Sequence, residues 1–336
     1  MQIKSETLKT ITQMIHVVGA PPAVTTGVCG TSLVLVAQQP AGPTIYISVE
    51  QGIEQDCQSL AIASRMLRVI ANHAQGILDF ERGFVRSQAN NWEWQLPANG
   101  PAGPPVVPPE IGSAFQIADC KTFYRALAAV VNSGSGDAVV QTVGKRWSVA
   151  CPELWAWADI PADPAPLANS ASFVIRKYWA SAIIAMLQAV GSGDGQLLFS
   201  VTDGKVVIGW YATDRSAMVS LVIPHEQATI AVMPVDMTWL GTVEAAAFHR
   251  AISAIEAATA PDEAATLSMT DGLNMSTEML QLQIPVLEGN GWWPIGVWIN
   301  TAPTRWLTGE ETVELWRSSE RLYVIGKSLV ASWRTV

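Results

Sequence analysis

Internal repetition constrains this chain more than any other feature, because repeated units of tens of residues must bury their apolar faces against one another. Two stretches in the middle follow one order of elements. The first begins Phe115-Gln116-Ile117 and runs through a helical pattern from Lys121 to Val131. It turns at Ser133-Gly-Ser-Gly-Asp137 and continues as alternating strands to Ile160-Pro161. The second begins Phe173-Val174-Ile175, has its helical pattern from Tyr178 to Val190, turns at Gly191-Ser-Gly-Asp194 and continues to Ile223-Pro224. Apolar residues recur at three- and four-residue spacing in both helical parts, as in Phe123, Leu127, Val130 and Val131, or Ile183, Ile184, Leu187 and Val190, the spacing of one buried helix face. Thr202-Asp203-Gly204-Lys205 between two β-rich runs predicts a hairpin.

The same order extends outward. Upstream, a helix over 59–74 precedes strands at Gly76 to Phe80, Gly83 to Gln88 and Trp92 to Leu96; downstream, a helix over 240–258 precedes Ala265 to Met269, the turn Asp271-Gly272 and Met279 to Ile284. Before these lie a strand and helix over 1–18, with strands at Ser32 to Ala37 and Thr44 to Val49. The chain ends with Gly296 to Ile299, a short helix near Thr304 and three further strands. This gives an α+β chain of six tandem helix-plus-strands units. The aperiodic, proline-rich segment from Pro97 to Pro109 suits an extended connector. Paired units then predict three domains: 1–97, 114–226 and 229–336, with a linker over 98–113.

Composition narrows the class. Hydrophobic residues make up 49% and charged residues 15% of 336, enough for substantial cores. The longest apolar stretches fall short of the roughly 20 residues that span a membrane. The start of the chain lacks the basic segment and continuous apolar run of a signal peptide, so a cytoplasmic protein with no membrane partner is expected. Cys29, Cys57, Cys120 and Cys151 are widely spaced without a Cys-x-x-Cys pair, which predicts reduced, mostly buried thiols.

The net charge of −9 argues at first against a nucleic-acid partner, yet the charges are segregated. The helical patterns, at 6–18, 59–74, 119–131, 175–190, 240–258 and 302–309, hold Lys9, Arg65, Arg68, Lys121, Arg125, Arg176, Lys177, Arg250 and Arg305 against the acids Glu6, Asp119, Glu244 and Glu256. The helices are basic and the remainder strongly acidic. Arg65 with Arg68, and Lys121 with Arg125, stand three and four residues apart and so share a helix face. Helices lining one surface would make it positive, which suits sequence-independent contact with phosphates.

Six tandem units, acidic overall with basic helices, resemble the DNA sliding clamps, with the bacterial DNA polymerase III beta subunit the nearest pattern. Met1-Gln-Ile-Lys-Ser-Glu-Thr-Leu-Lys-Thr-Ile11 is similar to the opening strand and helix of a clamp. Val201-Thr-Asp-Gly-Lys205 with Tyr211-Ala-Thr-Asp-Arg215 is similar to its hairpin and following segment. The resemblance implies a homodimeric ring with strands outside and helices inside, encircling double-stranded DNA as a non-enzymatic processivity factor that tethers a polymerase and is opened by a clamp loader. It assigns DNA contact to the nine helix cations named above. The chain ends Ala331-Ser-Trp-Arg-Thr-Val336, unlike the Met-Pro-Met-Arg-Leu-like tail of clamps, and carries fourteen tryptophans, departures that fit a divergent phage or plasmid clamp.

Signals for catalysis are weak. His16, His73, His225 and His249 stand apart from carboxylates and cysteines at metal-ligand spacing, which implies structural roles and no metal or cofactor. Gly191-Ser-Gly-Asp-Gly195 lacks the Gly-Lys-Ser/Thr ending of a phosphate loop and follows a helix, so it reads as a turn. Trp292-Trp293 and the cluster Trp147, Trp155 and Trp157 suit either a recognition platform or, more often for strand tryptophans, the core. The rival reading is a Trp-rich β-repeat recognition or structural protein of phage type that does not bind DNA. A hydrolase with dispersed catalytic residues ranks last, because no nucleophile and base stand at suggestive spacing.

Overall fold

In the computed structural model all residues are described except 19–22, 39–42, 82, 97–108, 110–114, 118–119, 134–136, 144–145, 152–153, 160–171, 191–194, 203, 215, 229–233, 261–262, 292 and 300–302. The elements follow one another in six rounds. The first comprises β1 (Gln2–Lys4), α1 (Ser5–Val18), β2 (Ala23–Gln38) and β3 (Thr44–Ala63); the second comprises α2 (Ser64–His73), β4 (Ile77–Glu81), β5 (Phe84–Ser87) and β6 (Glu93–Gln95). The third holds β7 (Phe115–Ile117), α3 (Cys120–Ser133), β8 (Ala138–Val143), β9 (Arg146–Cys151) and β10 (Leu154–Asp159). The fourth holds β11 (Ser172–Ile175), α4 (Lys177–Val190), β12 (Gly195–Thr202), β13 (Lys205–Ala212) and β14 (Ala217–Pro224). The fifth contains β15 (Thr238–Glu244), α5 (Ala245–Ala258), β16 (Ala265–Met269), β17 (Leu273–Ser276) and β18 (Gln281–Ile284). The sixth contains β19 (Val286–Gly289), β20 (Pro294–Val297), a 3-10 helix (Pro303–Gly309), β21 (Thr312–Arg317), β22 (Arg321–Ile325) and β23 (Leu329–Arg334).

By contacts the chain divides into two compact units, Met1–Tyr124 with Ile160–Gln227, and Arg125–Asp159 with Ala228–Val336. In the first, one sheet runs β1-β4-β5-β6 and another β2-β3-β14-β13-β12-β7. In the second, strands run β8-β9-β10-β23-β22-β21-β15-β19 and, separately, β18-β17-β16-β20. All these pairings are antiparallel. The proline-rich linker expected over 98–113 lies outside the described residues apart from Pro109.

In both units helices bury one face against a sheet. In the first unit Leu8, Ile11 and Ile15 of α1 are buried, as are Leu33, Leu35, Ile45 and Ile47 of the ribbon it packs on. Phe199 meets Phe123 and Phe173 edge-on at 5.0 and 5.5 Å. In the second unit Phe248 of α5 is buried against Trp333 at 6.2 Å. Burying each such side chain stabilises by roughly 2 kcal/mol.

Four expectations need correction. The strands expected at Ser32 to Ala37 and Thr44 to Val49 are parts of a ribbon of 16 and 20 residues. The helix expected from residue 59 starts at Ser64, because Ser59–Ala63 pairs with Ala23–Gly27 as strand. The helix expected from residue 240 starts at Ala245, since Thr238–Glu244 pairs with β21 and β19. Cys29 and Cys57 are not buried reduced thiols: they form a disulfide across the β2–β3 ribbon, Cys57 exposed, while Cys120 and Cys151 form no disulfide, Cys151 being buried.

That ribbon joins two sheets. Its tip half pairs with β14, Thr44 opposite Val222 and Val49 opposite Ala217. Its other half reaches β1 through side chains. Gln55 Oε1 accepts from the Gln2 backbone N–H at 2.7 Å and Gln55 Nε2 donates to the Gln2 carbonyl at 2.7 Å. Gln51 adds the same pair of bonds, to Gln2 O at 3.1 Å and from Lys4 N at 3.3 Å. Glutamine amides thus satisfy the edge of β1 that no strand covers.

Candidate nucleic-acid interface

The helices present polar, mainly cationic faces to solvent. Among the described side chains of α1 the exposed ones are Glu6, Lys9, Thr10 and Gln13, at the three- and four-residue spacing of one face. On α2 they are Arg65, Arg68, Val69, Asn72 and His73, opposite the buried Leu67, Ile70 and Ala71. Lys121 and Arg125 are exposed on α3, one turn apart, beside the buried Phe123 and Leu127. On α4 the exposed residues include Lys177, Tyr178, Ser181 and Gln188, whose amide donates to the Tyr124 hydroxyl at 2.8 Å. Arg250 is exposed on α5, and Arg305 on the 3-10 helix.

Within the first unit α1 packs against both α2 and α4, which brings Lys9, Arg65, Arg68 and Lys177 onto neighbouring helices. Within the second, the 3-10 helix packs on α5. A β-carbon placed on Gly309, at the end of that 3-10 helix, would lie 3.0 Å from Nη2 of Arg125. The elements bearing Arg125, Arg250 and Arg305 are therefore neighbours. The observed helices carry eight basic residues and the acids Glu6 and Glu256, a net of +6 in a chain of −9.

Arg176 departs from the expectation. It precedes α4 instead of lying in it, and its guanidinium forks onto the Glu226 carboxylate, Nε donating to Oε1 at 3.2 Å and Nη2 to Oε2. Val174 N–H donates to the Glu226 carbonyl at 3.0 Å, so the pair ties β11 to the segment after β14 and leaves Arg176 little net charge to offer.

Acids gather on strands and turns. Glu50, Glu54, Asp56, Glu81, Glu93, Asp214, Glu288, Glu311, Glu314 and Glu320 are all exposed outside the helices. A cleft of about 580 Å³ lined by Glu310, Glu311, Thr312, Glu314 and Lys327 belongs to this acidic side. It contains no histidine or cysteine to pair with a nucleophile.

Two of the histidines have hydrogen-bond partners, and the side chain of His16 lies outside the described residues. His225 Nε2 lies 3.0 Å from the Ser172 carbonyl. His249 Nδ1 lies 3.0 Å from the Thr304 hydroxyl, and its pKa is held below the ordinary value by partial burial and, second, by the Arg305 charge. His73 instead sits at the exposed end of α2 with its ring 6.4 Å from Trp92. Among the described residues no group of three or more His, Cys, Asp or Glu side chains could hold a metal ion, and no helix is long and apolar enough to cross a membrane.

Of the tryptophans considered as a platform, Trp147 and Trp293 are buried, while Trp292 and the side chains of Trp155 and Trp157 lie outside the described residues. Among the described residues the exposed aromatics are others, Tyr178 at 64%, Trp92 at 50% and Trp298 at 42%. Residue type alone could not single them out. Trp92 directly follows Asn91, which takes a positive φ after the turn at 88–90.

No protein-family model and no curated protein sequence matches this chain. Solved structures do, over its whole length. The fold is that of a bacterial sliding clamp. The DNA polymerase III subunit beta of Pseudomonas aeruginosa matches with a TM-score of 0.74 at 14% identity, covering 100% of this chain and 99% of that one. The Helicobacter pylori beta clamp, solved with a DNA ligase peptide, matches at 0.71 and 11% identity, covering 100% and 99%. The DNA polymerase III subunit beta of Borrelia burgdorferi matches at 0.69 and 9% identity, covering 100% and 98%. Six rounds of helix plus antiparallel strands are thus the clamp arrangement in α+β form, reached by a sequence that shares 9–14% of its residues with these neighbours.

Proposed function

We propose that the chain is a sliding clamp: a non-enzymatic processivity factor that closes with a second copy into a ring around duplex DNA and tethers a polymerase or another DNA enzyme to it. A clamp loader opens the ring. On this reading each chain contributes three domains of two units each, over 1–97, 114–226 and 229–336, and works in the cytoplasm. The observation that carries the proposal is the segregation of charge within a clamp fold. Lys9, Arg65, Arg68, Lys121, Arg125, Lys177, Arg250 and Arg305 stand exposed on the helices, which hold only two acids, Glu6 and Glu256, and the other acids lie outside them. Helices lining a ring would present those cations to the phosphate backbone, and the acidic wall would repel DNA from outside. Arg176 contributes least, since Glu226 already engages it.

Such a device needs no base readout and no tight contact. Mobile, salt-screened contacts keep the ring centred while the topological link holds it on the strand.

Two measurements test this. Mass in solution at micromolar concentration is expected near twice 36.1 kDa, and a strict monomer would count decisively against a closed two-chain ring. After loading on nicked circular DNA, the wild-type protein is expected to co-elute with the circle. Reversal of Arg65, Arg68, Lys121 and Arg125 to Glu is expected to abolish co-elution while the circular dichroism spectrum stays unchanged. Undiminished co-elution of that variant overturns the assignment of the lining.

A further inference from the structure

We propose that the exposed face of α2, continued by Trp92, is a docking strip for single-stranded DNA. Arg65 and Arg68 hold its phosphates, and the Trp92 indole stacks on one unpaired base. The proposal rests on α2 being a DNA-facing helix, but not on closure of a ring.

Geometry divides the face into two edges. Arg65, Arg68 and Asn72 form a polar, cationic edge, and Val69 and His73 an apolar and aromatic one. No acid occurs on α2. His73 ends the helix, its ring tilted by 46° against Trp92. Trp92 in turn meets Trp94 edge-on at 5.9 Å. From Arg65 to His73 the helix rises about 12 Å, a length that accommodates a few nucleotides.

Trp92 is presented, not merely uncovered. Its carbonyl accepts from Ser87 N–H at 2.9 Å, and its own N–H donates to Asn90 Oδ1 at 3.3 Å. Between these bonds Asn91 takes φ 54°, a left-handed conformation that asparagine tolerates better than most residues. The backbone is therefore fixed, while half the indole surface remains in water and Val69 beside the strip is 40% exposed. The adjacent acid, Glu93, accepts from Arg86 at 2.9 Å, and Arg86 lies over the Phe84 ring. A local partner thus offsets its charge.

A cationic track beside an exposed aromatic is the arrangement by which proteins hold unpaired strands: phosphates follow the cations, and each base offers a π-face to the ring. Duplex DNA presents phosphates but keeps its bases stacked on one another. It can therefore use Arg65 and Arg68 but not Trp92, and this difference identifies the occupant.

The test compares binding of the full chain to a fluorescein-labelled oligo-dT of about twenty nucleotides and to a duplex of equal length, by anisotropy at low salt. Trp92→Ala is expected to weaken the single strand about tenfold and leave the duplex unchanged; Trp92→Phe, which keeps a ring, restores most of the difference. Arg65→Ala with Arg68→Ala weakens both ligands. Equal effects of Trp92→Ala on both ligands, a Phe variant as weak as Ala, or no single-strand binding by the wild type overturns the strip. Loss of co-elution with circular DNA by the wild type strikes the clamp reading instead, and leaves a selective Trp92 effect standing.

Discussion

Trp210 explains why residue 195 is glycine. The indole is buried, and a β-carbon on Gly195 would come within 2.3 Å of it, well inside contact distance, with no flexible tip to move aside. Gly195→Ala must therefore push a ring out of a filled core, and overpacking of this kind costs about 1 to 3 kcal/mol. The expected outcome is a lowered denaturation midpoint with unchanged helix content; a neutral substitution would show that the ring has room to retreat. His249 supports a second prediction. Partial burial, then Arg305, depresses its pKa, so below about pH 6.5 the unfolded chain binds a proton that the folded chain still refuses. The stability this group contributes is complete above that pH and is lost as pH falls through the folded value. An NMR titration is expected to place the imidazole below its ordinary range, and Arg305→Gln to raise it. A normal titration in the wild type would contradict the burial. The helix cations were legible as types at three- and four-residue spacings. The partner of Arg176 was not, because Glu226 lies fifty residues away and no local pattern announces it.

Elements were legible where local periodicity and tertiary pairing agree. The strands at Arg321 to Ile325 and Leu329 to Trp333, and the helices following Phe115-Gln-Ile117 and Phe173-Val-Ile175, stand within a few residues of expectation. Two helix starts were placed five residues early. Ser59-Leu-Ala-Ile-Ala63 is compatible with a helix, yet Thr25 and Val24 pair with it as strand; Leu240-Gly-Thr-Val243 is likewise claimed by Leu315, Glu314 and Val313. Tertiary context overrides propensity in both places. The disulfide was illegible for a related reason. Cys29 and Cys57 are 28 residues apart, and only the long β2–β3 pairing brings them face to face. Register shifts flank Gly30, whose φ of +60° suits glycine, and so reset the alignment between the cysteines and the Gln51 and Gln55 contacts to β1. A thiol titration in denaturant without reductant is therefore expected to count two thiols, those of Cys120 and Cys151, and four after reduction. Closing such a loop stabilises by about 2 to 4 kcal/mol, so Cys57→Ser should lower the midpoint measurably. Four thiols before reduction would mean that the ribbon holds its register without the bond.

At the scale of the whole molecule, repetition was the legible property. Its grammar survives when residue identity falls to 9–14% against solved clamps, because a unit that buries one helix face against antiparallel strands demands a pattern and not particular side chains. The same economy shapes the proposed DNA contact, since a ring needs positive charge on its lining but no defined partner for each cation. This separates two kinds of binding by their salt dependence. If about four phosphates are neutralised at a time, affinity for an open DNA end should fall with a log-log slope near −3.6. Raising salt from about 50 to 200 mM should then weaken such contact roughly 150-fold. A closed ring on a circle escapes that dependence, because leaving requires an interface to open and not merely cations to be screened. Preloaded protein is therefore expected to remain on nicked circular DNA at the higher salt and to leave promptly once a restriction enzyme cuts the circle. Should release from the intact circle follow the same steep salt curve as release from linear DNA, the hold is electrostatic and no ring encloses the strand.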